Sequence, residues 1–293
     1  MEKVIYFLIS GFAQGGLYAL VALGIVFIYR SSRVLNFAHG EVSTAGTFFA
    51  FILLGMNASF WLAFPLALLF GGMISMAFYF IVISPAQRRE ATHLGLIVLT
   101  LGMALILQAL IIRFGGTDTQ IFPFPLSDTK MYRIGGVMIS QLSLGTMGVS
   151  ILASALFYFL VQKTRIGLAM RATSENLQAA QTLGIPTRMI LGLSWSLAAV
   201  LGVLAGLFVA PSLLLDPTFM LEPFLKGFAA ATLGGLNSLP GAIVGGVIIG
   251  ITEAFAGGYI SIAFKNSLAF LIIILVLLLR PAGLLGKEFI ERV

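Results

Sequence analysis

Apolar runs long enough to cross a bilayer follow one another along the chain, separated by short connectors that hold most of the basic residues. No other feature constrains the fold as strongly. A bilayer core takes about 20 apolar residues per helical crossing. Inside it every backbone N–H and C=O must be satisfied internally, which leaves helices or closed barrels. The runs are continuous rather than alternating, so helices are expected. Of 293 residues, 59% are hydrophobic and 10% charged, against about 25% charged in soluble domains. In water such a chain would expose far too much apolar surface. The expected fold is all-α and polytopic, with about eight transmembrane helices. It is expected as a single membrane domain over residues 1–293, leaving no room for a separate soluble domain.

The first run, residues 4–29, is too long for a signal-peptide core and reads as a retained span. Residues 39–54 are rich in Gly, Ala, Ser and Thr and should pack among helices rather than face lipid. Further spans are expected at 60–83, 94–112, 142–161, 189–209 and 267–279. Residues 114–141, with Pro123, Pro125 and paired glycines, read as a loop. Between 223 and 258, Gly234, Gly235 and the stretch 237–241 split the run into a hairpin of two short, close-packed helices. Such a break stands at membrane depth only against protein or a water-filled cavity. A full crossing and a re-entrant dip both satisfy this pattern.

The formal charge of +6 sits at span ends, where it reads as a topology signal rather than a nucleic-acid surface. Arg30, Arg33, Arg88, Arg89, Lys163, Arg165, Arg171, Arg188, Arg280, Lys287 and Arg292 fall on one side, 11 of 17 basic residues. Lys3, Arg113, Lys130, Arg133, Lys226 and Lys265 fall on the other. The positive-inside rule makes the first group cytoplasmic, with the N-terminus outside and the C-terminus inside. There is no cysteine, which excludes disulfides and thiol chemistry. Two distant histidines, His39 and His93, form no metal spacing. No GxSxG or GxxxxGK[ST] string occurs, and GLLGKE at 283–288 has the wrong spacing for a phosphate loop. Neither a catalytic residue nor a metal site is expected.

One long polar stretch remains, KTRIGLAMRATSENLQAAQTLGIPTR at 163–188. Thr173 or Ser174 is expected to cap a short helix, with Glu175 in its first turn. Gly184 suits the left-handed closing position, and Pro186 forbids continuation. Ala172, Ala179, Ala180 and Leu183 recur at helical spacing and form one narrow face. About ten residues are too few for a helix stable alone, so this one should dock. The plain alternative is a cytoplasmic loop containing a helical turn.

Within or beside the spans, Gln14, Asn36, His39, Glu41, Gln108 and Glu253 are the polar candidates, and Asn36, His39, Glu41 and Glu253 are those expected to contact a solute, since ionisable groups are costly in the bilayer. The competing account of Asn36, His39 and Glu41 is hydrogen bonding that anchors a helix start. For Glu253 it is placement at the interface near Gly257 and Gly258. An LNxxxG pattern occurs twice, at Leu35 to Gly40 and Leu236 to Gly241, each before a small-residue span.

GLYALVALGIVFIYRSSRVLNFAHGE (16–41), RIGLAMRATSENLQAAQTLGI (165–185) and AATLGGLNSLPGAIVGGVIIGITEA (230–254) together resemble the LivH-type permeases of branched-chain amino-acid ABC importers. The blocks stand in that family's order, and the likeness extends over almost the whole chain. The resemblance implies that 163–188 is a cytoplasmic loop fitting a groove on an ATPase, with Arg171, Ala172, Glu175, Ala180 and Gly184 as coupling residues. It implies a second, LivM-like permease, two ATP-binding-cassette subunits, a periplasmic binding protein, an inner-membrane location, and ATP bound by partners rather than by this chain. A zwitterionic substrate would be held at its carboxylate by helix N-termini and at its ammonium by Glu41, Asn36 or Glu253. Permeases for urea, amides or simple sugars belong to the same superfamily. A self-sufficient transporter or channel, or a structural subunit, would not explain a capped helix in the longest cytoplasmic loop.

Overall fold

The computed structural model describes residues 2–134, 136–280 and 282–286; Lys287 and Arg292 of the expected cytoplasmic set lie outside these. The helices run α1 (Glu2–Ser32), α2 (His39–Gly55), α3 (Phe60–Arg88), α4 (His93–Gly115), α5 (Gln141–Lys163), α6 (Arg165–Glu175) and α7 (Leu177–Thr182). They continue with α8 (Thr187–Leu213), α9 (Leu221–Gly234), α10 (Leu239–Tyr259) and α11 (Ile262–Leu279). The protein is thus a polytopic helical membrane protein. Among the described residues six helices (α1, α3, α4, α5, α8 and α10) are long and apolar enough to cross a membrane. The count of eight is not returned by the helices themselves. At 17 residues α2 spans about 26 Å, the apolar run of α11 is Ser267–Leu279, and α9 has 14 residues.

Three local features depart from expectation. The loop at 114–141 contains an antiparallel hairpin of β1 (Met131–Ile134) and β2 (Val137–Ser140), with Met131 opposite Ser140 and Gly136 at φ +88° in the turn. A four-residue strand is too short for alternation to announce it. Within α3 the segment Tyr79–Ile83 is a π-helical turn. Pro85 supplies no N–H to the preceding turn, and widening the helix is one way to accommodate that loss. The hairpin at 223–258 is broken where expected, at 235–238, but its second helix, α10, is a full 21 residues.

The chain divides into two compact units. The first comprises Met1–Val26, Leu126–Ser154 and Pro223–Val293. In it Gly11 and Gly15 of α1 meet α10 backbone to backbone: a Cβ on Gly15 would lie 2.8 Å from the carbonyl oxygen of Gly246, and one on Gly11 2.9 Å from that of Gly250. Such small-xxx-small pairs let membrane helices approach where apolar burial provides no drive. The break after α9 is closed by protein. Leu284 N–H donates to the Leu233 carbonyl at 2.7 Å and Leu285 N–H to that of Gly234 at 3.0 Å, satisfying carbonyls that end the helix. Ser238 Oγ then accepts from Gly241 N–H at 3.1 Å and caps α10.

The second unit comprises Phe27–Pro125 and Ala155–Glu222, with α2, α3 and α8 packed on one another. Fully buried Trp195 of α8 donates from Nε1 to Ser32 Oγ at 3.3 Å, and its carbonyl accepts from Ser75 Oγ at 3.0 Å. Both copies of LNxxxG stand at a helix start, before α2 and before α10.

Candidate functional site

The polar stretch at 163–188 folds as two helices, not one. Thr164 makes the first corner: its Oγ1 donates to the Leu160 carbonyl at 2.6 Å and accepts from Gly167 N–H at 3.0 Å, capping α6. A Cβ on Gly167 would collide with the carbonyl oxygens of Leu160 and Val161, so only glycine lets α6 fold back this tightly on the end of α5. Arg171 fastens the corner, donating from Nη1 to Gln162 Oε1 at 3.0 Å and from Nη2 to the Gln162 carbonyl at 3.4 Å.

The expected cap and first turn require correction. The second helix, α7, is capped by Asn176, whose Oδ1 accepts from Ala179 N–H at 2.9 Å, while Asn176 N–H closes α6 on the Ala172 carbonyl. Thr173 and Ser174 instead donate to carbonyls within α6, and Glu175 is the last residue of α6. An asparagine amide oxygen reaches the next turn from extended backbone, and Asn176 has φ −149° and ψ 104°. Gly184 does adopt the left-handed position, at φ +79°.

The predicted coupling residues fall into different environments. Glu175 and Gly184 are exposed, Arg171 and Ala172 half-buried, and Ala180 is buried against its own unit. The outward surface therefore carries Leu177, Glu175 and Leu183, the last 79% exposed. An open groove of about 500 Å³ adjoins it, lined by Phe80, Gln181, Gly184, Pro186 and Arg188, with the Arg188 guanidinium 5.1 Å above the Phe80 ring.

Asn36, His39 and Glu41 gather at the start of α2. Asn36 Oδ1 accepts from Ala38 N–H at 3.1 Å, and Thr100 of α4 holds the loop by accepting from Phe37 N–H at 3.2 Å. Asn36 thus anchors a turn. His39 is 1% exposed and, among the described residues, neither ring nitrogen has a hydrogen-bond partner; Glu41 Oε2 is likewise buried without one. The ring fits against α8 because residue 202 is glycine: a Cβ there would lie 2.9 Å from His39 Cε1 and Nε2 and closer still to Ser43 Oγ.

Glu253 belongs to the other unit and is buried within it. Its Oε1 accepts from Lys226 Nζ at 2.5 Å and faces Lys265 Nζ at 3.3 Å. Lys226, counted with the residues opposite the cytoplasmic group, is buried inside unit 1, its ammonium over the Tyr18 ring at 5.6 Å and its charge matched by Glu253. A buried ion needs such a partner, and no local pattern in the sequence distinguishes it from an interfacial lysine.

A helical membrane fold of this kind, with a two-helix corner between α5 and α8, coincides with a family model described as the permease component of a branched-chain amino acid transport system, which matches residues 7–279. The chain belongs to this family. The high-affinity branched-chain amino acid transport system permease protein LivH of Salmonella typhimurium is 32% identical over 313 residues, covering 100% of this chain and 99% of that protein. BraD of Pseudomonas aeruginosa, described in the same words, is 31% identical over 98% of this chain and 97% of its own. Among solved structures, PsaBC from Streptococcus pneumoniae in complex with Fab superposes with a TM-score of 0.53 at 15% identity, covering 94% of this chain and 92% of that one. That likeness bears on the fold alone. Membership of a permease family fits a polytopic helical fold with an exposed corner, α6–α7, between two of its spans.

Proposed function

We propose that the chain is the membrane-spanning permease subunit of an ATP-driven importer and forms part of the inner-membrane pathway for branched-chain amino acids. The observation that carries this reading is the match to branched-chain amino acid permeases over nearly the full length of both chains. The partners are a LivM-like second permease, two ATP-binding-cassette subunits and a periplasmic binding protein. ATP is bound by the cassette subunits, and this chain needs no cofactor of its own. The α6–α7 corner docks on an ATPase. Its exposed Glu175 and Gly184 meet the partner, while Arg171, Ala172 and Ala180 fix the corner to the permease. ATP-driven closure then shifts this corner, and the permease pair alternates between outward and inward openings. Asn36, His39, Glu41 and Glu253 belong to the pathway or support its walls. The N-terminus lies outside, and the C-terminus and the α6–α7 corner lie in the cytoplasm.

Radiolabelled leucine uptake in cells with and without the gene tests the reading, with isoleucine, valine, urea and ribose as unlabelled competitors. Uptake should be lost on deletion and blocked by isoleucine and valine. Uptake unaffected by deletion would refute the branched-chain assignment, and loss of urea or ribose uptake instead would transfer it to those solutes.

A further inference from the structure

The charges around Glu253 are built unlike a structural ion pair. One lysine suffices to neutralise a buried carboxylate, and Lys226, with a side chain 6% exposed, already does so at 2.5 Å. A second lysine, Lys265, comes to the same oxygen at 3.3 Å with its side chain 31% exposed. The second carboxylate oxygen, Oε2, is buried and has no hydrogen-bond partner among the described residues. Two ammonium groups thus meet one carboxylate oxygen, the more exposed being Lys265, while the other oxygen stays unused among the described residues. The lysine stem runs close over residue 257. A Cβ there would lie 3.2 Å from Lys265 Cδ, so the bare backbone of Gly257 gives the lysine stem a path across α10, one turn beyond Glu253. Glu253 itself stands six residues before the end of α10, about 9 Å along the helix axis.

A reachable ammonium next to an unfilled carboxylate acceptor matches the two ends of a zwitterion. We propose that Lys265 binds the carboxylate of a free amino acid, with Glu253 Oε2 accepting from its ammonium. Lys226 remains paired with Glu253 Oε1. Charge is conserved on binding: the zwitterion inserts between Lys265 and Glu253 and replaces one ion pair by two. A solute without a carboxylate, such as leucinamide or urea, leaves Lys265 unanswered. The inference rests on the amino-acid importer reading above and adds the group that recognises the carboxylate.

The test uses the whole importer, in cells for uptake and in vesicles for lipid dependence. Wild-type leucine uptake is the control for the importer reading: if it is absent, that reading has failed, whatever Lys265 does. Where it is present, Lys265→Gln should lower saturating uptake about tenfold, as expected for loss of a charged hydrogen bond, with Lys265→Arg restoring most of it. Lys265→Met separates binding from structure. It keeps the apolar stem and removes the charge, so uptake should stay low; full uptake in Lys265→Met would assign Lys265 to packing and overturn the proposal. Unchanged uptake in Lys265→Gln would overturn it too. So would a wild-type dependence on anionic phospholipid that Lys265→Gln abolishes, which would make the ligand a lipid phosphate. A readout without substitution comes from ¹³C-methylated lysines in the intact complex. The Lys265 signal should move with leucine and not with leucinamide, and a signal indifferent to both contradicts the site.

Discussion

At Gly202 a hydrogen occupies a position that no side chain could share with Ser43 and the His39 ring. Replacing it with alanine overpacks the α2–α8 contact, which typically costs about 1–3 kcal/mol. Gly102 offers the matched control, since a Cβ there meets nothing within 4 Å and a glycine in mid-helix gains about 0.5–1 kcal/mol as alanine. In detergent, Gly202→Ala should therefore lower the unfolding temperature and Gly102→Ala should not. Equal behaviour would mean that the α2–α8 contact yields freely. The sequence shows both glycines in apolar helices and cannot separate them, because the difference lies in what faces each one. Asn36 was legible as a possible helix anchor because its hydrogen bond is made two residues away. The unpartnered ring of His39 was not, because its surroundings come from α8.

Caps and turns are local chemistry, so elements were read more securely than contacts. Gly184, Pro186 and the apolar runs placed the end of α7 and most of the spans correctly. The start of α7 was misplaced by competition among similar signals: Thr173, Ser174 and Asn176 can all cap, and the backbone geometry selects Asn176. The corner between α5 and α6 was missed although Thr164 and Gly167 have cap spacing, because the case for Gly167 rests on carbonyls of α5. Asn176→Ala should destabilise α7 by about 1 kcal/mol. If this corner transmits ATPase closure, the variant should insert normally, retain ATP hydrolysis in the complex and lose part of leucine uptake per ATP. An unaltered ratio of uptake to hydrolysis would separate α7 from coupling.

Across the whole molecule, the proposed orientation rests on the basic residues at span ends, 11 of 17 on one side, under the positive-inside rule. With no native cysteine to interfere, Gln178→Cys on the exposed surface of α7 should react with an impermeant thiol reagent only from the cytoplasm, and Lys130→Cys only from outside. The reverse pattern in intact cells would invert the topology. By itself the sequence determined the helical membrane fold, the permease family and the polar corner between two spans, because run length, cap chemistry and family motifs are written in neighbouring residues. Only the tertiary structure decided which lysine is buried, which glycines admit a neighbouring backbone and which carboxylate gathers two cations. Those properties depend on partners brought together by folding: Lys226 and Glu253 are 27 residues apart in the chain and 2.5 Å apart in space. A lysine's charge has the same local signature whether water or a buried carboxylate answers it.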